Sequence, residues 1–277
     1  MERDPRAVPR KGIMKVLIVY AHPNRASFTH AVLEEFTRGL RDAGHQPDVL
    51  DLYAMKFDPV FTSADLATWL HPGIPADILA RMDPRRMVLE GAGGPVRRTL
   101  ARRAMRGLDD RGIARMIRRR GPKDAARSWQ HVAAADALVF IAPIFWLGFP
   151  AIMKGWLERV FSYGNAFALD RAGWQGDANG RVGMLWHRKA LLITPTLFSE
   201  SDYQGQWREP VTRTLDDWCF RHPGVEQVEH VYFYRAAVAD RATIRRYLER
   251  SYLLGLDFES SLRPREERDE AAAGRRR

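Results

Sequence analysis

Short apolar runs alternate with longer amphipathic stretches along most of this chain. Short apolar runs bounded by turn-forming residues indicate buried β-strands, whereas apolar residues spaced three or four apart indicate helices. The strands are predicted at 15–20, 49–52, 137–142, 189–194 and 228–234. The helices are predicted from Phe28 until Gly44 and over 150–162, 206–220 and 240–256. Strands separated by helices predict the α/β class, with a doubly wound sheet of five parallel strands and helices on both faces.

The alternation is interrupted at about 70–121. This segment contains a glycine-rich turn at 91–95 and two short arginine-rich helical stretches at 96–106 and 110–120. It has too few large apolar residues to form a core of its own, so a long helical insertion is predicted rather than a second domain. A lid over a site, an arm on a dimer partner and a solvated basic excursion are all compatible with this composition.

The two ends of the chain differ from the part between them. Residues 1–13 and 263–277 are charged and lack hydrophobic periodicity, which predicts a disordered N-terminal extension and a disordered basic tail. Residues 14–262 are predicted to form a single domain. The single cysteine, Cys219, excludes an internal disulfide and favours a reduced, cytoplasmic setting. No apolar run approaches the ~20 residues of a membrane span.

The positive charge of the chain is concentrated in the insertion. The net charge is +10, and residues 81–127 alone hold fifteen basic and five acidic residues, so the rest of the chain is balanced. Aromatic side chains are absent between Arg81 and Lys123, which argues against a stacking platform for nucleic acid. Nucleic acid is therefore not predicted as a partner.

A candidate anion site follows the first strand. The sequence KVLIVYAHPN leads from a buried strand to His22, and Ser27, Phe28 and Thr29 then open an amphipathic helix. The first N–H groups of a helix have no partner within it and favour negative charge, so a phosphate fits there. An ordinary strand–helix turn capped by Ser27 is the alternative interpretation.

Two further loops are predicted to meet the first, because ligands of such sheets bind outside the carboxyl ends of the strands. The loop 143–149 exposes aromatic side chains beyond the third strand, and the loop 195–204 follows the fourth. Exposed aromatics at this position suit a flat heterocycle, although they could also plug the end of the sheet.

Other polar residues are expected to be structural. The histidines, among them His187 and His230, show no metal-ligand spacing and are expected at the surface or in caps, so no metal site is predicted. The adjacent carboxylates Asp216 and Asp217 lie on a predicted helix and are expected to be solvated.

Four segments of the chain carry a resemblance to a known family: AHPNRASFTH, DLYAMKFDPVF, AAADALVFIAPIFWLGFPAIMKGWLERVF and KALLITPT. Together they resemble the flavodoxin-like NAD(P)H:quinone oxidoreductases, over about 14–65 and 122–255. The resemblance implies a flavodoxin-like fold, a flavin (FAD or FMN, with FAD slightly favoured) and NAD(P)H as co-substrate. It implies two-electron, ping-pong hydride transfer to a quinone or a similar flat aromatic acceptor, such as an azo or nitro compound or a secondary-metabolite intermediate. It also implies a homodimer with shared active sites.

The same resemblance assigns roles to individual residues. The cofactor-binding residues would be His22, Ser27, Phe28, Thr29, Pro143, Ile144, Phe145, Trp146, Leu147, Pro195, Thr196, Leu197 and Phe198. Tyr203 matches the family's active-site tyrosine, and Glu209 matches a histidine that serves as a proton relay in animal members. Phe167 and Leu169, with Trp146, would wall the substrate pocket, the first two across the dimer interface.

Departures from the family pattern leave other functions open. Leu197 and Phe198 stand where the family usually has two glycines, which would let the backbone approach a ring closely. A soluble flavoprotein subunit that regulates a potassium-efflux system is one alternative function. A flavin-free relative that kept only the fold is another.

Overall fold

A parallel β-sheet forms the centre of the computed structural model, which describes residues 12–262. Five strands are hydrogen-bonded in the order β2-β1-β3-β6-β7. Their bounds are β1 Lys15–Tyr20, β2 Gln46–Asp51, β3 Ala137–Ile141, β6 Lys189–Pro195 and β7 Gln227–Phe233. All four pairings are parallel, which confirms the predicted doubly wound sheet. The predicted disorder of 1–13 and 263–277 falls outside the described residues, apart from residues 12 and 13.

Helices cover both faces of the sheet. The helices and their bounds are α1 Phe28–Asp42, α2 Ser63–Ala67, α3 Ala76–Met82, α4 Pro84–Gly91, α5 Pro95–Ala104, α6 Asp110–Arg119, α7 Lys123–Ala134, α8 Ala151–Val160 and α9 Arg241–Leu256. A further helical stretch, the π-rich helix, joins α-turns at Glu200–Asp202 and Arg208–Val211 to π-turns at Tyr203–Trp207 and Thr212–Arg221. Helices α1 and α9 bury one face of the sheet; α7, α8 and the π-rich helix bury the other.

Glycine allows α1 and α9 to cross closely. A Cβ atom built on Gly39 would collide with the backbone carbonyl of Tyr252, and one on Gly255 would collide with the carbonyl of Phe36. Backbone therefore meets backbone at this crossing. At the start of α1, the ring of Phe28 packs on Phe233 at the end of β7 and on Tyr247 of α9.

A short hairpin lies beside the sheet and was not predicted. Strand β4, Phe167–Leu169, pairs antiparallel with β5, Arg181–Gly183, and two 3-10 turns, Gly173–Gln175 and Ala178–Gly180, lie between them. Strands of three residues leave too short a pattern for an alternation to be recognised.

The insertion contains the two arginine-rich helices predicted for it, α5 and α6. Helix α5 buries none of its residues, whereas α6 buries Ile113 and Ala114 against the domain. Arg118 fastens α6 by donating hydrogen bonds to the carbonyls of Thr68 and Tyr163 and to the side chain of Asn165. The insertion is thus docked through α6 and extends into solvent through α5. No helix within 12–262 is long and apolar enough to cross a bilayer.

Candidate functional site

The loops that follow β1, β3 and β6 line one cavity of about 530 Å³ at the carboxyl edge of the sheet. Parallel strands bring these loops together because their carboxyl ends share an edge. The lining residues are His22, Ser27, Phe28, Thr29, Pro143, Ile144, Phe145, Trp146, Pro195, Thr196, Leu197, Phe198, Ala236 and Ala237. The insertion contributes no lining residue, so a lid formed by 70–121 over the chain's own site finds no support.

A second cavity of about 350 Å³ adjoins the first. It is lined by Ile144, Trp146, Leu147, Thr196, Leu197, Phe198, Tyr203 and Trp207. The structure thus gathers every residue predicted to bind the cofactor around these two adjoining cavities, together with Tyr203. Most of the lining is apolar, which suits a flat, weakly polar guest.

The helix α1 supplies the polar end of the first cavity. Ser27 is its N-cap and accepts a hydrogen bond from the N–H of His30, while Phe28 and Thr29 begin the helix and line the cavity. His22 lies in the preceding turn, where its Nδ1 accepts from the N–H of Asn24. Helix N–H groups without helical partners and a nearby imidazole form a suitable seat for a phosphate.

The loop after β3 holds a tight turn in an unfavourable conformation. Trp146 and Leu147 both have positive φ, +53° and +57°, between Phe145 and Gly148, which exchange two backbone hydrogen bonds. Positive φ at two successive positions is the geometry of a type I′ turn and normally selects Asn or Gly. The turn leaves the side chain of Trp146 fully exposed at the mouth of both cavities. Strain of this kind concentrates at functional sites.

The loop after β6 carries Leu197 and Phe198 at the two positions where the resemblance implies glycines. Neither Leu197 nor Phe198 is among the described residues with positive φ, so the backbone there does not require glycine. Both side chains are about half exposed, and the ring of Phe198 lies 4.7 Å from that of Trp207. They therefore form part of the apolar wall.

Tyr203 is the most deeply buried polar group at the site. Its hydroxyl shares a hydrogen bond of 2.9 Å with the hydroxyl of Thr196, which lines both cavities. Burial raises the pKa of Tyr203, so the phenol stays protonated at neutral pH. Tyr203 and Thr196 together provide a neutral hydroxyl pair at the second cavity.

Comparison with known proteins agrees with this geometry. Residues 14–252 match the protein family described as having a flavodoxin-like fold. The chain belongs to that family. It is 31% identical to NAD(P)H dehydrogenase [quinone] 1 of Cavia porcellus over 191 residues, which cover 69% of this chain and 56% of the relative. The chain thus spans little more than half the length of the curated relatives it matches first.

Solved structures show the same fold. The NAD(P)H:quinone oxidoreductase of Methanothermobacter marburgensis superposes with a TM-score of 0.62 at 26% identity, covering 89% of this chain and 100% of that one. An FMN-dependent NADH-azoreductase of Bacillus anthracis, solved in complex with FMN, gives a TM-score of 0.55 at 16% identity, with coverage of 88% and 100%.

Glu209 does not reach the flavodoxin-like site. Its side chain is 73% exposed and forms an ion pair with Arg213 on the same helical turn, at 2.8 Å. It lines neither cavity. The predicted role of Glu209 as a proton relay stays a prediction, and in this chain the carboxylate would have to leave Arg213 to reach a group in the pocket.

Phe167 and Leu169 lie away from the two cavities of their own chain. Phe167 is buried on β4, with its ring 5.5 Å from that of Trp69, and lines a separate groove of about 500 Å³ that includes Trp218. Their predicted role across a dimer interface involves a second chain and stays a prediction.

Three residues of the site were missed from the sequence. Ala236 and Ala237 follow β7, a strand whose carboxyl end shares the same edge, and Trp207 lies on the π-rich helix. The two alanines could have been predicted as well, because ligands of such sheets bind outside the carboxyl ends of the strands and these residues follow β7. Trp207 gave no such signal.

Three groups expected to be solvated, at the surface or in caps are buried instead. Asp216 and the side chain of His230 are both less than a tenth exposed and lie 2.8 Å apart. His187 is also completely buried. Within 12–262, no group of three or more His, Cys, Asp or Glu residues is arranged to hold a metal ion.

Proposed function

We propose that this protein is a flavin-dependent NAD(P)H oxidoreductase acting on a quinone or a similar flat aromatic acceptor. The observation that carries the proposal is the convergence of three strand-end loops on a mostly apolar cavity whose lining includes the N-terminus of a helix. This combination of an apolar wall and an anion seat suits a planar heterocycle joined to a phosphate. Relatives named as NAD(P)H dehydrogenase [quinone] support the same assignment.

The residues of the first cavity fit a flavin in separate ways. Ser27, Phe28 and Thr29 would hold the phosphate at the start of α1, where the helix dipole favours an anion. The backbone of 143–147 and 195–198 would border the ring, and its N–H groups would tune the electronics of that ring. A bound flavin would supply two-electron hydride chemistry with NAD(P)H as donor. FAD and FMN share the ring and the first phosphate, so the proposed contacts are the same for both.

The second cavity would receive the acceptor. Its walls, which include Trp146, Leu147 and Phe198, exclude water from the face of a flat guest. Tyr203 and Thr196 would orient a carbonyl, azo or nitro oxygen or nitrogen through their hydroxyl pair. The high pKa of Tyr203 favours hydrogen-bond donation over ionisation.

A visible absorption spectrum of the purified, full-length protein tests the proposal. We expect a flavin spectrum, either as purified or after addition of FMN or FAD, that bleaches under anaerobic conditions when NADPH or NADH is added. Colour should return on addition of a quinone. A colourless protein that takes up neither flavin would reject the enzymatic function and favour the flavin-free alternative.

The proposal includes a homodimer, in which Phe167 and Leu169 of one subunit wall the pocket of the other. Sedimentation equilibrium tests this part separately. A monomer at micromolar concentration that still turns over would remove the shared wall from the proposal and leave the flavin site intact.

A further inference from the structure

A buried hydrogen-bonded network lies directly behind the candidate site. The Nδ1 atom of His230, on β7, lies 2.8 Å from Oδ1 of Asp216, on the π-rich helix. The Nε2 atom of the same ring lies 2.7 Å from the hydroxyl of Thr194, on β6. Asp216, Thr194 and the side chain of His230 are all less than a tenth exposed.

The chemistry of the three groups fixes the direction of the hydrogen bonds. A carboxylate only accepts, so Nδ1 of His230 carries the hydrogen that Asp216 accepts, and Nε2 of the neutral ring accepts from Thr194. Burial lowers the pKa of His230, and the positive charge of Arg208 lowers it further, whereas Asp216 acts in the opposite direction. Because the net shift is downward, the ring stays neutral at neutral pH. The remaining polar neighbour, the Tyr232 hydroxyl, lies 3.0 Å from Nδ1.

A carboxylate, an imidazole and a hydroxyl in this order also occur in hydrolytic triads. Here the hydroxyl belongs to Thr194, which has no solvent-accessible surface and lies within a central strand. A substrate cannot reach it, so nucleophilic catalysis is excluded and a positioning role is favoured.

Two routes connect the network to the site. Thr194 is followed directly by Pro195 and Thr196, which line the cavities. In addition, the ring of His230 stacks on Tyr232 at 4.0 Å, and Tyr232 lies 5.2 Å from the ring of Tyr203. Both routes end at the hydroxyl pair formed by Thr196 and Tyr203.

We propose that Asp216 and His230 are positioning residues, which fix the end of β6 through Thr194 and thereby hold the Thr196–Tyr203 pair in the geometry that binds flavin and acceptor. The catalytic part of this role rests on the proposed function. The mechanical part, an ordered strand end, does not depend on any bound group.

Substitutions at Thr194 separate the hydroxyl from the volume of the side chain. Thr194→Val keeps the shape and removes the hydroxyl, whereas Thr194→Ser keeps the hydroxyl. Asp216→Asn removes the negative charge and can present either its carbonyl oxygen or its amide group to Nδ1, so the tautomer of His230 and the direction of the bond to Thr194 are no longer fixed. His187→Gln is the matched control, because His187 is equally buried but precedes β6, at the end of the sheet away from the cavities.

The first readout is flavin-independent. In hydrogen exchange followed by mass spectrometry, we expect the peptide containing 194–203 to exchange faster in Thr194→Val and Asp216→Asn, and at the wild-type rate in Thr194→Ser and His187→Gln. An unchanged exchange rate of 194–203 in folded Thr194→Val and Asp216→Asn would overturn the proposal, whether or not the protein binds flavin.

The second readout uses FMN and a soluble quinone. We expect Thr194→Val and Asp216→Asn to raise the Kd for FMN or lower kcat on the order of tenfold, the usual cost of losing a residue that orients a contacting group. Thr194→Ser should restore both values. If wild type takes up no flavin, the proposed function fails and the exchange experiment alone decides the positioning role. If flavin binds and every variant keeps wild-type values, the catalytic part is wrong.

If Asp216→Asn fails to fold, Tyr232→Phe provides the milder test. It removes the hydroxyl 3.0 Å from His230 while keeping the stacked ring. We expect a smaller increase in the exchange rate of 194–203. If this rate does not increase, the result contradicts the proposed network.

Discussion

At the scale of single residues, the site departs from what the local sequence prefers. Trp146 and Leu147 occupy a left-handed conformation that costs a non-glycine residue on the order of 1 kcal/mol. Leu197, in the loop after β6, is also exposed to solvent but is not among the described residues with positive φ. Both leucines line the second cavity, but only Leu147 does so at a cost in backbone strain.

Leu147→Gly is expected to stabilise the fold by up to about 1 kcal/mol, because glycine adopts positive φ without strain. The same change removes part of the second cavity's wall, so turnover of the acceptor should fall. Urea unfolding and steady-state kinetics measure the two effects. The control, Leu197→Gly, should lose about 0.5–1 kcal/mol, since glycine at ordinary φ only adds freedom to the unfolded chain. Equal losses in both variants would contradict the strain.

His187 gives a pH dependence to stability. Burial lowers its pKa from 6.5 to about 4, and its Nδ1 is buried without a partner, while Nε2 donates to the carbonyl of Val132. As the pH falls, His187 therefore binds a proton in the unfolded state at a higher pH than in the folded state. The contribution of the neutral ring is complete above pH 6.5 and is lost as the pH falls from 6.5 towards 4.

Between pH 7.5 and 5, this group alone should lower the free energy of unfolding by about 2 kcal/mol. His187→Gln keeps a donor for Val132 and cannot titrate, so its stability should fall less over the same range. Urea titrations of both proteins at the two pH values give the difference. Parallel pH profiles would show that His187 does not titrate as its burial requires.

At the scale of elements, close crossing of α1 and α9 sets the position of the proposed phosphate seat. Gly39 and Gly255 allow this approach because no side chain intervenes. Movement of α1 away from α9 would shift Ser27, Phe28 and Thr29 as a unit. The elements that hold the site in place thus extend beyond the loops that line it.

Gly39→Ala is expected to cost about 1–3 kcal/mol, because the added methyl group meets backbone that cannot rotate away. Gly205→Ala, in the π-rich helix, has open space and ordinary φ, so it should be neutral or stabilise by up to ~1 kcal/mol. Thermal unfolding measures the stability of the two variants. If Gly39→Ala were as stable as the wild type, α1 and α9 would be able to move apart at no cost.

Most elements could be predicted from the sequence because their signals are local. The five strands of the sheet and the helices α1, α5, α6, α8 and α9 follow from apolar spacing within one segment. Asp216 could not be placed, since its partner His230 arrives from a strand fourteen residues later. For the same reason Glu209 aligned with a functional residue, yet its helical turn directs it to Arg213 and solvent.

At the scale of the whole molecule, charge and catalysis are predicted to be separate. Residues 81–127, most of which belong to the insertion, carry the entire positive excess, yet none of them lines either cavity. Charges that are exposed to solvent are screened by salt, so they act weakly on groups that they do not contact. The arginines of α5 should therefore have little influence on flavin binding.

Two substitutions of the same kind test how the insertion is attached. Arg118→Gln should cost about 2 kcal/mol or more, because three hydrogen bonds from a charged group are lost. Arg98→Gln, on exposed α5, should change stability by less than about 0.5 kcal/mol. Neither should change the Kd for FMN by more than about twofold, since neither residue lines the cavity. Urea unfolding measures the free energy of unfolding, and FMN fluorescence titration measures the Kd. An equal loss of unfolding free energy in the two variants would mean that α5 also contacts the domain.

A helix that buries nothing is also a place where the chain can be cut. Helix α5 presents Arg97, Arg98, Arg102 and Arg103 to solvent, and trypsin cleaves after arginine in segments that unfold locally. A brief digestion should therefore divide the protein within α5 into two fragments that stay associated, since β1 and β3 pair across the cut. The same position could receive a foreign domain without moving the strands that carry the site.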